Sequence, residues 1–202
     1  MVLTTKWEHD YIEGLDLTQI EWIKLNSKQL EDFYRDNYLD KEAWEWVHDE
    51  SAKGCFISPI GLRYLDYSAP IDDINKKYSY LLGIVNNKAN KKTIVAAMVY
   101  LDSYFIFENQ ETPVTYISTI ETNSYFWNKG LFHQLCGAII RFVNPEQHIL
   151  ITKLSDMGLK INLFEKLREN LIKKGFTKNI LIDNWEHKEY RQFLKTLGTM
   201  PK

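Results

Sequence analysis

Asn128-Lys129-Gly130 lies between a β-type run, Thr115 to Ile120, and an apolar helical pattern that continues to Val143. A strand passing through a glycine turn into a helix N-terminus makes a site for an anion. The first N–H groups of such a helix lack intrahelical partners, and its dipole favours negative charge. The arrangement calls for a phosphate-bearing ligand and does not choose which one.

Other reactive residue types are less well placed. His133 and Cys136 fall one turn apart on the same predicted helix. A cysteine on an apolar helix face is core material, and His133 is expected to face solvent. His48-Asp49-Glu50 are neighbours in sequence, but adjacent residues on a helix point in different directions. The chain carries no H-E-x-x-H, G-x-S-x-G, Walker A or zinc pattern, so no metal is expected. Cys55 and Cys136 form no C-x-x-C pair and are expected to stay reduced.

With 202 residues, 45% hydrophobic and 26% charged, the chain is expected to form one α/β domain with a sizeable core. A net charge of −2 gives no reason to expect nucleic acid as a partner. The opening MVLTTKWEHDYIEG has no apolar leader core, and no apolar run is long enough to span a bilayer. A cytoplasmic protein without a membrane partner, monomeric or homodimeric, is the expectation.

The elements that must position the loop follow from periodicity. Residues 1–16 show none. Ile20 to Leu25 alternates like a half-buried strand, and Asn26 or Ser27 caps a helix carrying Leu30, Phe33 and Tyr34. Asp40 begins a second helix that holds Trp44 and Val47 inward and ends near Gly54. Gly54, Pro59, Gly61 and Pro70 break up residues 54–77. Tyr78 to Val85 and Thr93 to Leu101 flank a polar turn and predict an antiparallel hairpin, which Phe105 to Phe107 either extend or follow as a separate strand. After the strand at Thr115–Ile120, Glu121 to Ser124 reads as a turn. The helix from about Lys129 to Val143 buries Leu131, Leu135, Ile139, Phe142 and Val143. His148 to Thr152 is a strand. Ser155 or Asp156 caps a helix with Ile161, Phe164, Leu167 and Leu171, ending with Gly175 as its C′ residue. Asn179 to Ile182 is a strand, and Tyr190, Phe193, Leu194 and Leu197 line a last short helix.

Within that order, Ile120-Glu121-Thr122-Asn123-Ser124-Tyr125-Phe126-Trp127-Asn128-Lys129-Gly130-Leu131-Phe132 resembles the acetyl-coenzyme A motif of the GNAT superfamily of N-acetyltransferases. Ile151 to Gly158, with Phe164-Glu165-Lys166-Leu167, is similar to the strand and helix that follow in that family. Lys129 and Gly130 match the motif. Phe126 replaces a Tyr, Trp127 an Arg or Gln, Asn128 a Gly, and Phe132 a Gly or Ala. A loop that binds through backbone N–H groups tolerates such changes if the turn keeps its shape, and Asn suits an unusual backbone.

The resemblance implies a single GNAT-like domain, with a mixed, mostly antiparallel sheet flanked by helices. Residues 1–77 would form the acceptor side, 78–183 the acetyl-coenzyme A-binding core, and 184–202 a C-terminal helix. It implies an N-acyltransferase acting on a small-molecule or peptide amine, with acetyl-coenzyme A as acyl donor. Backbone groups of Ile120 and Thr122 would hydrogen-bond the pantetheine arm. Amides of Trp127, Asn128, Lys129, Gly130, Leu131 and Phe132 would wrap the pyrophosphate, with Ser155 near the thioester exit.

In related enzymes a base often stands on the central strand, facing the acceptor. Plain alternation puts Tyr116 and Ser118 on the face of Ile120, making them positional candidates. Glu121 is the nearest carboxylate; alternation turns it to the other face, where it reads as a solvated strand-end glutamate. Phe164 occupies the place of the Tyr that often serves as acid, and a phenyl ring donates no proton. A GNAT-fold protein that binds without catalysing is the alternative. Trp44, Trp46, Tyr64 and Tyr67 are candidates for an acceptor pocket, with core packing as their ordinary role.

Overall fold

The computed structural model describes residues 6–37, 78–88, 90, 92–107, 110–151 and 162–182. The helix expected from Asp40, the broken stretch 54–77, Ser155, Asp156, Ile161 and the last helix lie outside these residues.

The described chain forms a six-stranded sheet in the order β1 to β6, flanked by helices. Strand β1 (Glu21–Asn26) is the alternating segment, and helix α2 (Ser27–Asn37) follows it directly. Asn26 is the cap. The Gln29 N–H donates to Asn26 Oδ1 at 2.9 Å, and the Asn26 N–H donates back to Gln29 Oε1 at 2.9 Å. This reciprocal box satisfies two donors that a bare helix start would leave open. Leu30 and Phe33 are buried as the pattern predicts.

Helix α1 (Lys6–Ile12) has no counterpart in the periodicity of the sequence. It is only seven residues long, with Tyr11 and Ile12 buried, and tertiary bonds hold it. The Thr93 hydroxyl donates to the Tyr11 carbonyl, and the Tyr11 hydroxyl donates to the Asn37 carbonyl at the end of α2. Neither partner is visible in the local pattern.

Strands β2 (Ser79–Asn86) and β3 (Lys92–Phe107) form the predicted hairpin, and Phe105–Phe107 extend β3. Strand β4 (Gln110–Thr122) pairs antiparallel with β3 along its whole length. It starts five residues earlier than Thr115 and runs two past Ile120, so Glu121 and Thr122 belong to the strand rather than to a turn. Pro113 is tolerated because the ladder with β5 begins only at Val114, leaving the Pro113 stretch without a neighbour on that side among the described residues.

Helix α3 (Leu131–Phe142) crosses to β5 (His148–Ile151), which runs parallel to β4. Helix α4 (Leu163–Lys173) crosses to β6 (Ile180–Ile182), parallel to β5. Asn162 is its N-cap, so the helix that holds Phe164, Leu167 and Leu171 starts at Leu163, not at Ser155 or Asp156. It ends in a Schellman motif. The Phe176 N–H donates to the Leu171 carbonyl at 3.0 Å, the Gly175 N–H donates to the Ile172 carbonyl at 2.9 Å, and Gly175 takes φ +94°.

Met98, Tyr100 and Ile117 from one sheet face pack with Leu135, Cys136 and Ile139 of α3 and with Leu167 and Leu171 of α4. Each such aliphatic side chain contributes roughly 1.5–3 kcal/mol on burial. The sheet and the two crossover helices therefore form one rigid support under the end of β4.

Candidate functional site

The geometry of the site begins with one extra residue. The β3–β4 register passes from Val99↔Thr119 to Tyr100↔Ile117, which leaves Ser118 as a bulge in β4. A bulge breaks period-2 alternation. Ile117 lies opposite Tyr100 and Ile120 opposite Met98, and both pack on the cluster under α3. Tyr116 lies opposite Leu101 and Glu121 opposite Ala97, on the reverse face. Placing Tyr116 and Ser118 on the face of Ile120 is therefore incorrect: Tyr116 shares the face of Glu121, and Ser118 is the inserted residue. The described part of the β4–β5 ladder runs to Ile117↔Ile151, next to the bulge. From Ser118 to Thr122 the β5 side of β4 has no strand partner among the described residues.

Glu121 is not the solvated strand-end carboxylate that its position predicts. It closes a cross-strand row with Ile23, Leu82 and Ala97, all apolar. Its Oε2 is buried with no hydrogen-bond partner among the described residues. Loss of hydration penalises the charged form, so burial pushes the carboxyl from 4.5 to about 8. An acid–base group titrating near neutral pH, with no ion-pair partner among the described residues, is suited to accept and return a proton. Tyr116 is buried on the same face.

The loop after β4 is built by its backbone. Asn123 is buried; its N–H donates to the Val95 carbonyl at 2.8 Å, and its Oδ1 accepts from the Tyr125 N–H at 3.0 Å. Sequence reasoning gives Asn123 no role. The available signal is an Asn directly after a strand, where its side chain can bond the backbone two residues on. A 3₁₀ turn at Ser124–Phe126 follows. Asn128 then adopts φ +64° and Gly130 φ +76°. Asn tolerates this left-handed region better than most residues, so its place in a glycine position fits. A Cβ at Gly130 would meet nothing within 4 Å, which leaves the space over the turn open.

The first helical bond of α3 runs from the Gln134 N–H to the Gly130 carbonyl at 3.2 Å. The N–H groups of Leu131, Phe132 and His133 precede it and point out of the first turn. No acidic side chain stands in that turn, and Trp127 to Gly130 are all exposed. An anionic diphosphate fits this donor set. The Lys129 N–H is engaged within the turn by the Phe126 carbonyl at 3.3 Å.

Side chains expected near the ligand behave differently from one another. Phe132 is half-buried against the cluster under α3, turned onto the core rather than across the loop. Trp127 is 52% exposed, and its Nε1 donates to the Thr122 carbonyl at 3.1 Å. The indole thus covers one backbone acceptor on the strand edge assigned to pantetheine. Phe164 packs on the same cluster as Phe132. Cys136 is buried, and burial pushes its thiol up to about 12; His133 is exposed and bonds Asn170 at 2.8 Å. That pair is structural. Ser155, Trp44, Trp46, Tyr64, Tyr67 and the His48–Glu50 group lie outside the described residues.

No family model and no curated protein sequence matches the chain. Among solved structures, it is similar to an aminoglycoside N-acetyltransferase crystallised with CoA, at 15% identity and TM-score 0.43, covering 88% of this chain and 98% of that one. It is similar to an aminoglycoside acetyltransferase from an uncultured soil metagenomic sample in complex with sisomicin, at 12% identity and TM-score 0.44, covering 84% and 97%. An integron cassette protein from the mobile metagenome of V. cholerae superposes at 10% identity and TM-score 0.46, covering 87% and 98%.

Proposed function

We propose that the chain is an acetyl-coenzyme A-dependent N-acyltransferase of GNAT type. The observation that carries this reading is Glu121, whose Oε2 is buried without a hydrogen-bond partner among the described residues, at the end of β4 that leads into the positive-φ turn before α3. Bound acetyl-coenzyme A supplies the thioester whose acetyl group passes to the amine.

The chain's own groups supply the rest. The N–H groups of Leu131, Phe132 and His133 hold the pyrophosphate, with the positive-φ turn at Asn128–Gly130 giving them access. The β4 edge beyond Ser118 receives the pantetheine arm as a short added strand. In its ionised form Glu121 takes the proton that an alkylammonium acceptor must lose before attack, directly or through a water. Tyr116 stands on the same face and helps shape the acceptor side. Residues 1–77 and 184–202 would complete that side within a single domain, and a small-molecule or peptide amine is the substrate class. A GNAT-fold binding protein without turnover is the second reading, favoured by Phe164, whose packed phenyl ring leaves its position without a proton donor.

Calorimetry with acetyl-coenzyme A, followed by thiol release over an amine panel, separates the two. Micromolar binding with turnover on at least one amine is the expected result. Binding with no turnover on any amine supports the second reading, and no binding at millimolar cofactor sinks both.

A further inference from the structure

We infer that Asn123 is the positioning residue of the loop, latching it to the bulge in β3 so that the helix amides face a diphosphate. The inference rests on the cofactor reading above. Its observation is independent of Glu121. The β2–β3 register passes from Gly83↔Ala96 to Ile84↔Ile94, so Val95 is an extra residue in β3. Its carbonyl accepts the Asn123 N–H at 2.8 Å, and the Ile94 carbonyl accepts Asn123 Nδ2 at 3.5 Å. On the loop side, Asn123 Oδ1 accepts the Tyr125 N–H at 3.0 Å, and the Asn123 carbonyl accepts the Phe126 N–H at 3.0 Å.

The side chain is thus a bridge. One end is fixed by a central strand of the sheet, and the other sets the 3₁₀ turn that leads to Asn128 and Gly130. Only one orientation of the carboxamide satisfies both ends, because Nδ2 must meet a carbonyl and Oδ1 an N–H. Leu131 shares a buried cluster with Val95, and Phe126 packs against that cluster, so both ends of the loop meet the apolar group around the bulge residue. Asn123 itself is 4% exposed. It acts through the backbone it holds rather than by touching the ligand.

Removing the latch should therefore harm recognition of the diphosphate and spare recognition of the pantetheine arm, which lies along β4. The test is calorimetry of the wild type, N123A and N123D with coenzyme A, pantetheine and inorganic pyrophosphate, alongside thermal melts. N123A should weaken coenzyme A by about tenfold and leave pantetheine unchanged, the scale of one or two lost hydrogen bonds. N123D keeps the Oδ1 acceptor but sets an anionic oxygen against the Ile94 carbonyl, so it should weaken coenzyme A at least as much as N123A, again with pantetheine unchanged. Equal loss of coenzyme A and pantetheine, or no loss of coenzyme A in both variants, overturns the proposal. A wild type that binds pyrophosphate but not coenzyme A sinks the cofactor reading alone, and the variants then judge Asn123 on pyrophosphate. Binding of neither overturns both.

Discussion

At the scale of single residues, Glu121 makes the sharpest predictions. Transfer should rise with pH through about 8, because only the ionised carboxyl accepts a proton and burial holds it protonated below that point. Glu121→Gln should lower kcat about 10²–10⁴-fold, measured as thiol release, while coenzyme A affinity stays close to wild type. Stability should move the other way. Between 4.5 and about 8 the folded chain keeps a proton that the unfolded chain has released, so stability falls as pH rises through that window. Glu121→Gln removes that fall. Its unfolding free energy, from denaturant melts, should match wild type near the acid end of the window and exceed it above the alkaline end, by an amount on the order of a few kcal/mol. Glu121 was legible in sequence as the carboxylate nearest the loop. Its burial was not, since the face it occupies is set by pairing with β3, which lies more than ten residues earlier in the chain. Asn128 was legible for a local reason: a residue that tolerates left-handed backbone stood in a glycine position. Asn128→Gly should leave stability and cofactor binding unchanged within error, whereas Asn128→Val should cost about 1–2 kcal/mol and weaken coenzyme A.

Elements were legible wherever the pattern was strong and local. The hairpin of β2 and β3, the helix α3 and the glycine-terminated α4 follow from apolar runs, 3.6-residue spacing and Gly175. The two bulges left no mark. Val95 and Ser118 lie inside β-branched and polar stretches that read as unbroken strands, and only the register with a neighbour shows the extra residue. Helix α1 was missed because its support comes from Thr93 and from Asn37. The helix-ending motif gives a prediction at this scale. Gly175 sits at φ +94°, and a Cβ there would meet nothing within 4 Å, so Gly175→Ala meets backbone strain and no steric clash. It should cost roughly 1–2 kcal/mol and lower the melting temperature by about 2–8 °C, read by circular dichroism, with coenzyme A affinity unchanged.

Across the whole molecule, one core joins the sheet to both crossover helices, and Cys136 lies at its centre with no solvent exposure. With its thiol pushed up to about 12, Cys136 should resist disulfide reagents at neutral pH in the folded chain. In a Cys55→Ser background, labelling should appear only with denaturant and follow the global unfolding curve; fast labelling in buffer would contradict this packing. The sheet as a whole also carries a lesson for engineering its specificity. Because Ser118 shifts the reading frame of β4, a randomised library that varies alternate positions along that strand would cross from the face of Tyr116 and Glu121 to the face of Ile117 and Ile120 halfway. Varying Tyr116 and Glu121 together requires a spacing of five, with Ile117 and Ile120 held constant. A designer following simple alternation would lose most of the library to misfolding before any change in acceptor choice could be selected.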